Sequence, residues 1–338
     1  MKFLITGFGN IAQRHFRNLK KILPNSLINV YTHRYDKHRI FDNNLHITYT
    51  NDLLSIYNIN KVFYDIDEVL DAEQYDAVII CSLPPERMDI ATLSANRGFN
   101  LFIEKPIDSK IDMCKIADLE YIVKTKKLKC AVGYQMRFHP IIQEIKKYIS
   151  SNKIDEIYRI EITHGNDIKN WTKGRKLKGF YALDDAKGGG VLMSQIHEID
   201  YLNWITCDEL YPTSAGSYNK SSDANNIETN VSILGSVILD NSPNVFVSVV
   251  MNLDFISPEP YRKIKIFGKK GFIMCDLIYN NMLVKGELKH YDVEWNDLFL
   301  NEMRSFIKLL NGKNDVRLAT LNDGVGSLEI ACSIKDML

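Results

Sequence analysis

The 338-residue chain has no surplus of charge: 42 basic side chains face 42 acidic ones. Non-specific nucleic-acid binding needs a basic excess, so no nucleic-acid partner is expected. There is no C-x-x-C pair. The six cysteines, Cys81, Cys114, Cys130, Cys207, Cys275 and Cys332, are scattered, and four lie inside apolar runs. That pattern suits reduced, mostly buried thiols of a cytoplasmic protein, and no metal site is expected. No apolar run approaches the roughly 20 residues that cross a bilayer, so no membrane is expected as partner. Met1-Lys2 leads straight into an apolar strand, without the pattern of a signal peptide. Repeats and low-complexity segments are missing too.

What is present is ordinary for a folded protein, with 45% hydrophobic and 25% charged residues. The length suggests two domains. The first third alternates short apolar runs with helical patterns: "KFLITGFGN", "LINVYTHR", "YDAVIICSLP" and "NLFIEKP" read as strands, and "IAQRHFRNLKKIL" as a helix. Continuous apolar runs mark strands covered on both faces, so this is an α/β region with a parallel, doubly wound sheet. A helix is expected over about 109–126, followed by the strand "LKCAVGYQ". From about Asp155 the runs alternate, as in "EIYRIEITHG", "ETNVSILGSVIL" and "NVFVSVVMNL". They predict an open, mostly antiparallel sheet. One long helix over about 190–205 interrupts it, others over about 298–311 and at the chain end follow, and "NKSSDANN" (219–226) is a polar loop.

"GFGNIA" lies between the first strand and the first helix. Gly7 permits the tight turn, Gly9 lets backbone approach a pyrophosphate, and Ala12 allows close helix packing. Gly7, Phe8, Gly9, Asn10 and Ile11 are therefore candidate cofactor residues, the alternative being a glycine turn kept for packing. In an NAD site the second strand usually ends on an acid that binds the ribose 2′-hydroxyl. Here the corresponding positions are Thr32, His33 and Arg34. Arg34, with His33 beside it, can pair with a 2′-phosphate, so NADP(H) is favoured over NAD(H). Asp36 keeps NAD open, and Arg34 can also be a solvated loop residue. Ser82, Leu83 and Pro84, and then Glu104 and Lys105, stand at the ends of later strands, where such sheets bind ligands.

Three further stretches complete a set: "IEKP" (103–106), "GYQMRFHP" (133–140) and "GGGVLMSQIHEIDYLNW" (188–204). With the glycine turn and the closing "LNEMRSFIKLLNGKND", the chain resembles, over nearly its whole length, the Gfo/Idh/MocA family of nicotinamide oxidoreductases. The resemblance implies a Rossmann domain over 1–127 and a substrate-binding and oligomerisation α/β domain over 128–338, with a last helix that can pack back on the first. It implies that Lys105 polarises the reacting oxygen beside the nicotinamide and that His197 is a general acid/base. Independently, Pro106 fixes the backbone beyond Lys105, and an imidazole pKa near 6.5 suits proton transfer. His197 and Asp200 are three apart on one helix, so Asp200 can orient the imidazole or join an oligomer contact. The bland readings are a surface lysine and a core histidine. Many members carry an acid three or four residues before this histidine; here those positions are Ser194 and Met193.

The spelling "SQIHEIDYLNW" and the stretch 170–190 before it resemble members from bacterial surface-polysaccharide clusters. The implied activity is hydride transfer at a hydroxyl or ketone carbon of a sugar or nucleotide-sugar in envelope glycan synthesis. Alternatives are an epimerase or eliminase with tightly bound cofactor, or a non-catalytic dinucleotide sensor. Lys169, Lys173, Arg175, Lys176 and Lys178 crowd one loop and suit an anionic substrate, unless they are simply solvated. Trp171 can stack on a sugar face or a base, and Ser194 and Asp200 join the candidate substrate residues. Tyr134 and Arg137 follow a strand end and can touch substrate; the same arginine can equally pair with a structural carboxylate. A homodimer or homotetramer is expected, because an open sheet needs a cover.

Overall fold

The computed structural model describes residues 1–34, 38–41, 47–172, 177, 179–218, 227–239 and 242–338. Asp36, Lys173, Arg175, Lys176, Lys178 and the loop 219–226 lie outside the described residues. The chain divides into two units, Met1–Tyr134 with Phe299–Val325, and Gln135–Leu298 with Gly326–Leu338.

The strands of the first unit are β1 (Lys2–Thr6), β2 (Leu27–Tyr31), β3 (His38–Phe41), β4 (Ile47–Thr50), β5 (Lys61–Phe63), β6 (Ala77–Ile80), β7 (Asn100–Glu104) and β8 (Cys130–Gly133). Its helices are α1 (Asn10–Ile22), α2 (Leu53–Tyr57), α3 (Ile66–Ala72), α4 (Pro84–Asn96) and α5 (Met113–Thr125). Six strands form one parallel sheet in the order β5-β2-β1-β6-β7-β8, and β3 pairs with β4 as a separate hairpin. Phe3, Leu4 and Ile5, the whole of β6, and Leu101 to Ile103 are buried, as strands covered on both faces must be. Order reverses between β1 and β6, so the turns after these two strands open on the crevice where such sheets take ligands. The returning segment Phe299–Val325 contributes Phe306, edge-on to Phe102 at 5.3 Å, and an Ala319 carbonyl that accepts from the Val132 N–H at 2.9 Å.

The second unit opens on a 3-10 turn, Gln135–Phe138, and α6 (Pro140–Ser150). Then come β9 (Ile157–Gly165), α7 (Ile168–Thr172), α8 (Val191–Ser194), α9 (His197–Thr206), β10 (Tyr211–Ser217), β11 (Asn230–Leu239), β12 (Ser242–Asp254), β13 (Tyr261–Gly268), β14 (Gly271–Asp276), β15 (Asn281–Val284) and β16 (Glu287–His290). α10 (Trp295–Leu310) and α11 (Leu321–Asp336) close the chain. Eight strands form one sheet, β10-β11-β12-β9-β13-β14-β15-β16, antiparallel except where β12 meets β9. Ile233, Met251, Ile162, Ile264 and Cys275 stand in register across five adjacent strands, all buried. Burying each such side chain stabilises by about 1.5–3 kcal/mol before entropy, so this row anchors the sheet's covered face.

Three expectations change. The helix expected from 109 begins at Met113, because the Asp112 side chain accepts from the N–H groups of Cys114 and Lys115 and caps it there. The single helix expected over 190–205 is two. Its backbone turns aside at Gln195, whose side-chain amide donates to the Asp254 carbonyl at 3.0 Å. Of the cysteines only Cys81 and Cys275 are buried; Cys114 and Cys207 are exposed, since one opens α5 and the other ends α9.

Candidate active site

In the first unit, the glycine turn joins β1 to α1. Gly7 has φ +70°, and a Cβ there would stand 3.0 Å from backbone atoms of Cys81 and Ser82, so the fold itself demands glycine. Gly9 is different. It caps α1 with no side-chain hydrogen bond, and a Cβ there would meet nothing within 4 Å. The first turn of α1 carries no acid, and the Asn10 side-chain oxygen is buried without a hydrogen-bond partner among the described residues. An open, uncapped helix start with unused N–H groups fits a pyrophosphate. Phe8 stands edge-on to Tyr57 at 5.3 Å, and Ile11 is half-buried in the first turn.

Beside this turn a cavity of about 110 Å³ is lined by Phe8, Gly9, Thr32, Arg34, His38, Arg39 and Phe41. Gln13 holds its walls together: its amide donates to the carbonyls of Phe8 (3.0 Å) and Arg39 (2.6 Å). The Gln13 oxygen accepts from Phe41 N–H (2.9 Å) and the Tyr57 hydroxyl (2.7 Å). Partial burial and then the like charge of Arg39 lower the Arg34 pKa, so two cations crowd one cavity. His33 is exposed, its Nε2 3.3 Å from the Glu86 carboxylate.

The strand-end residues follow. The Ser82 hydroxyl donates to Thr6 at 3.0 Å; Leu83 caps α4, and Pro84 occupies its first turn. Glu104 ends β7, and a cis peptide joins Lys105 to Pro106. Arg87 of α4 donates to the backbone carbonyls of Ser82 (2.9 Å), Glu104 (3.0 Å) and Pro106. It thereby ties the turn after β6 to the turn after β7. Sequence reading missed Arg87, Arg39, Gln13 and His15. The only signal for the helical three was a polar residue in a buried helix position. Tyr134, which ends the first stretch of this unit, is buried at 1% exposure.

In the second unit, His197 begins α9 and is largely buried, as is Ser194 at the end of α8. Glu198, the next residue, has Oε1 2.7 Å from Arg262 Nε and 2.9 Å from His164 Nδ1. Burial opposes ionisation of Glu198, but the charges of Arg262 and His164 outweigh it and bring its pKa down. Asp200 is fully buried and accepts from Arg137 Nε and Nη2. Of the two roles open to Arg137, the structure shows the carboxylate partner. Trp171 on α7 stands edge-on to Phe255 at 5.2 Å, and Lys169 is exposed on the same helix.

The fold and glycine turn define a dinucleotide-binding architecture, and comparison with known proteins places it among oxidoreductases. Residues 1–134 match the family model described as "Oxidoreductase family, NAD-binding Rossmann fold", and residues 142–274 match the GFO/IDH/MocA C-terminal domain. The chain belongs to the Gfo/Idh/MocA family of oxidoreductases with an NAD-binding Rossmann fold. Among curated relatives, myo-inositol 2-dehydrogenase of Thermotoga maritima is 23% identical, covering 91% of this chain and 87% of that one. Inositol 2-dehydrogenase of Rhizobium meliloti is 24% identical over 79% of each. Among solved structures, scyllo-inositol dehydrogenase from Lactobacillus casei with NAD(H) and scyllo-inositol has a TM-score of 0.77 at 18% identity, covering 100% of this chain and 96% of that one. UDP-N-acetylglucosamine 3-dehydrogenase from Acidithiobacillus ferrooxidans has a TM-score of 0.75 at 18% identity, covering 100% and 97%. Among the described residues no helix is long and apolar enough to cross a membrane.

Proposed function

We propose that the protein is a cytoplasmic NADP(H)-dependent dehydrogenase or reductase. It transfers hydride at a hydroxyl or ketone carbon of a sugar or nucleotide-sugar. The observation that carries the cofactor choice is the pair Arg34 and Arg39 in the cavity beside the glycine turn. Two guanidiniums that repel each other gain most from a doubly charged anion such as a 2′-phosphate. A bound nicotinamide supplies or accepts the hydride.

Residues 1–127 take the dinucleotide on this reading, and 128–338 the substrate. Lys105 polarises the reacting oxygen by donating to it, and His197 carries the proton. The printed activities of the relatives, on inositols and on a UDP-sugar, support a polyhydroxylated substrate. The "SQIHEIDYLNW" spelling supports a place in envelope glycan synthesis. A homo-oligomer is supported by the uncovered sheet face, where Leu234 and Phe246 are exposed on neighbouring strands.

The test is turnover. The purified protein is denatured and its released small molecules are identified by mass spectrometry. Fresh enzyme is then assayed with NADP and NAD against inositols, free sugars and UDP-sugars, beside Lys105→Ala. Reduction of NADP by at least one substrate, lost by about 10²–10⁴-fold in Lys105→Ala, supports the reading. No turnover with any class, or full turnover by Lys105→Ala, overturns it.

A further inference from the structure

The fully buried ring of His15 has no part in the reading above. It sits on α1 with Nε2 2.6 Å from Glu104 Oε1. Nδ1 is buried without a hydrogen-bond partner among the described residues. The rings of Phe102 and Phe299 stand edge-on to it at 5.2 and 6.2 Å. An ionised carboxylate oxygen can only accept, so the proton of that contact sits on Nε2. The His15 N–H then donates to the Glu104 carboxylate.

Glu104 is itself 5% exposed. Burial raises its pKa, but the hydrogen bond from His15, then the charges of Arg87 and Lys105, outweigh that and bring it down. Arg14 on α1 and Cys81 at the end of β6 are the other titratable groups that feel it. The second oxygen of Glu104 accepts from the backbone N–H of Lys105 at 3.2 Å. From β8, Gly133 leaves the carboxylate its room: a Cβ there would stand 3.1 Å from Oε1.

We propose that His15 is a positioning residue for Lys105, acting through Glu104. The imidazole keeps a buried carboxylate ionised and in one orientation, and that carboxylate holds the peptide from which the lysine side chain springs. This rests on the catalytic reading of Lys105 given above. Groups that fix a reacting side chain from behind matter as much as the side chain's own contacts. A distinctive consequence follows from burial. Without His15, Glu104 gains a proton as the pH falls, so the loss of Lys105 alignment is pH-dependent rather than uniform.

The experiment is kcat against pH, from about pH 6 to 9, for wild type, His15→Phe, His15→Gln, Glu104→Gln and Lys105→Ala, with dinucleotide affinity alongside. His15→Phe is expected to lose about ten-fold in kcat near pH 6 and much less near pH 9, with dinucleotide affinity within about three-fold. His15→Gln, which keeps an N–H donor, recovers most of that loss. Glu104→Gln lowers kcat without the added pH-dependence. A His15→Phe activity that is the same fraction of wild type at every pH overturns the proposal while leaving the Lys105 reading intact. A fully active Lys105→Ala removes that reading, and the proposal with it. Should His15→Phe not fold, Glu104→Gln decides, and wild-type kcat in that variant overturns the proposal.

Discussion

Arg137 and Asp200 form a two-point ion pair inside the second unit. Nε and Nη2 of the arginine lie 3.0 and 2.6 Å from the two carboxylate oxygens, and neither side chain exposes more than 3% of its surface. Asp200 is one turn along α9 from His197, and Arg137 comes from the 3-10 turn before α6. The pair therefore locks the helix that carries His197. Removing one partner strands a buried charge, so Asp200→Ala should lower stability by about 3–5 kcal/mol. Denaturant unfolding checks this. The double change Arg137→Met/Asp200→Leu should recover part of the loss, because it leaves no unpaired charge.

Gly7 and Gly9 should separate folding from binding. Gly7→Ala forces a Cβ against the backbone of Cys81 and Ser82 at positive φ, and should destabilise the protein by about 1–3 kcal/mol. Gly9→Ala points into open space and should leave the unfolding midpoint unchanged. It should nonetheless weaken dinucleotide binding by about ten-fold or more, since the added methyl occupies the approach to the helix start. Thermal unfolding and a binding titration on both variants are the check.

His139 should give stability a mild-acid step. Its Nδ1 accepts from the Ile141 N–H at 3.2 Å and so caps α6, while Nε2 donates to the Asn280 side-chain oxygen at 3.2 Å. Burial above all lowers its pKa to about 4. The folded value lies below the unfolded one near 6.5, so the unfolded chain binds the extra proton between them. The contribution is fully present above about pH 6.5 and is lost as the pH falls toward 4, by roughly 2–3 kcal/mol. His139→Asn keeps a capping oxygen and should remove this step from a stability–pH profile.

Much of this was legible in the sequence, for reasons visible in particular residues. The strands β1, β6 and β7 announce themselves because both faces are buried, which forces continuous apolar runs. The glycine turn was readable because Gly7 answers to backbone sterics, and Lys105 because a strand ends there. Partnerships across long sequence distances were not readable. Glu104 meets His15 from 89 residues away, and Asp200 meets Arg137 from 63 away. Helical spacing puts Asp200 on the face of His197 but does not show that Arg137 waits there, because i,i+3 spacing says which face a residue takes and not what it meets. The break at Gln195 escaped for the same reason, since its side chain answers to Asp254 on a distant strand.

On the function proposed above, the dinucleotide sits on the glycine turn with its 2′-phosphate between Arg34 and Arg39. The most direct measurement is a calorimetric titration of wild type and of Arg34→Ala/Arg39→Ala with NADPH and NADH. Charge-assisted bonds worth about 1.5–3 kcal/mol each predict at least ten-fold tighter NADPH binding by wild type. The double variant should lose that advantage while its NADH affinity stays within about three-fold of wild type. Equal affinities in wild type would contradict the phosphate assignment. Failure of both dinucleotides to bind would contradict the glycine turn as a cofactor site.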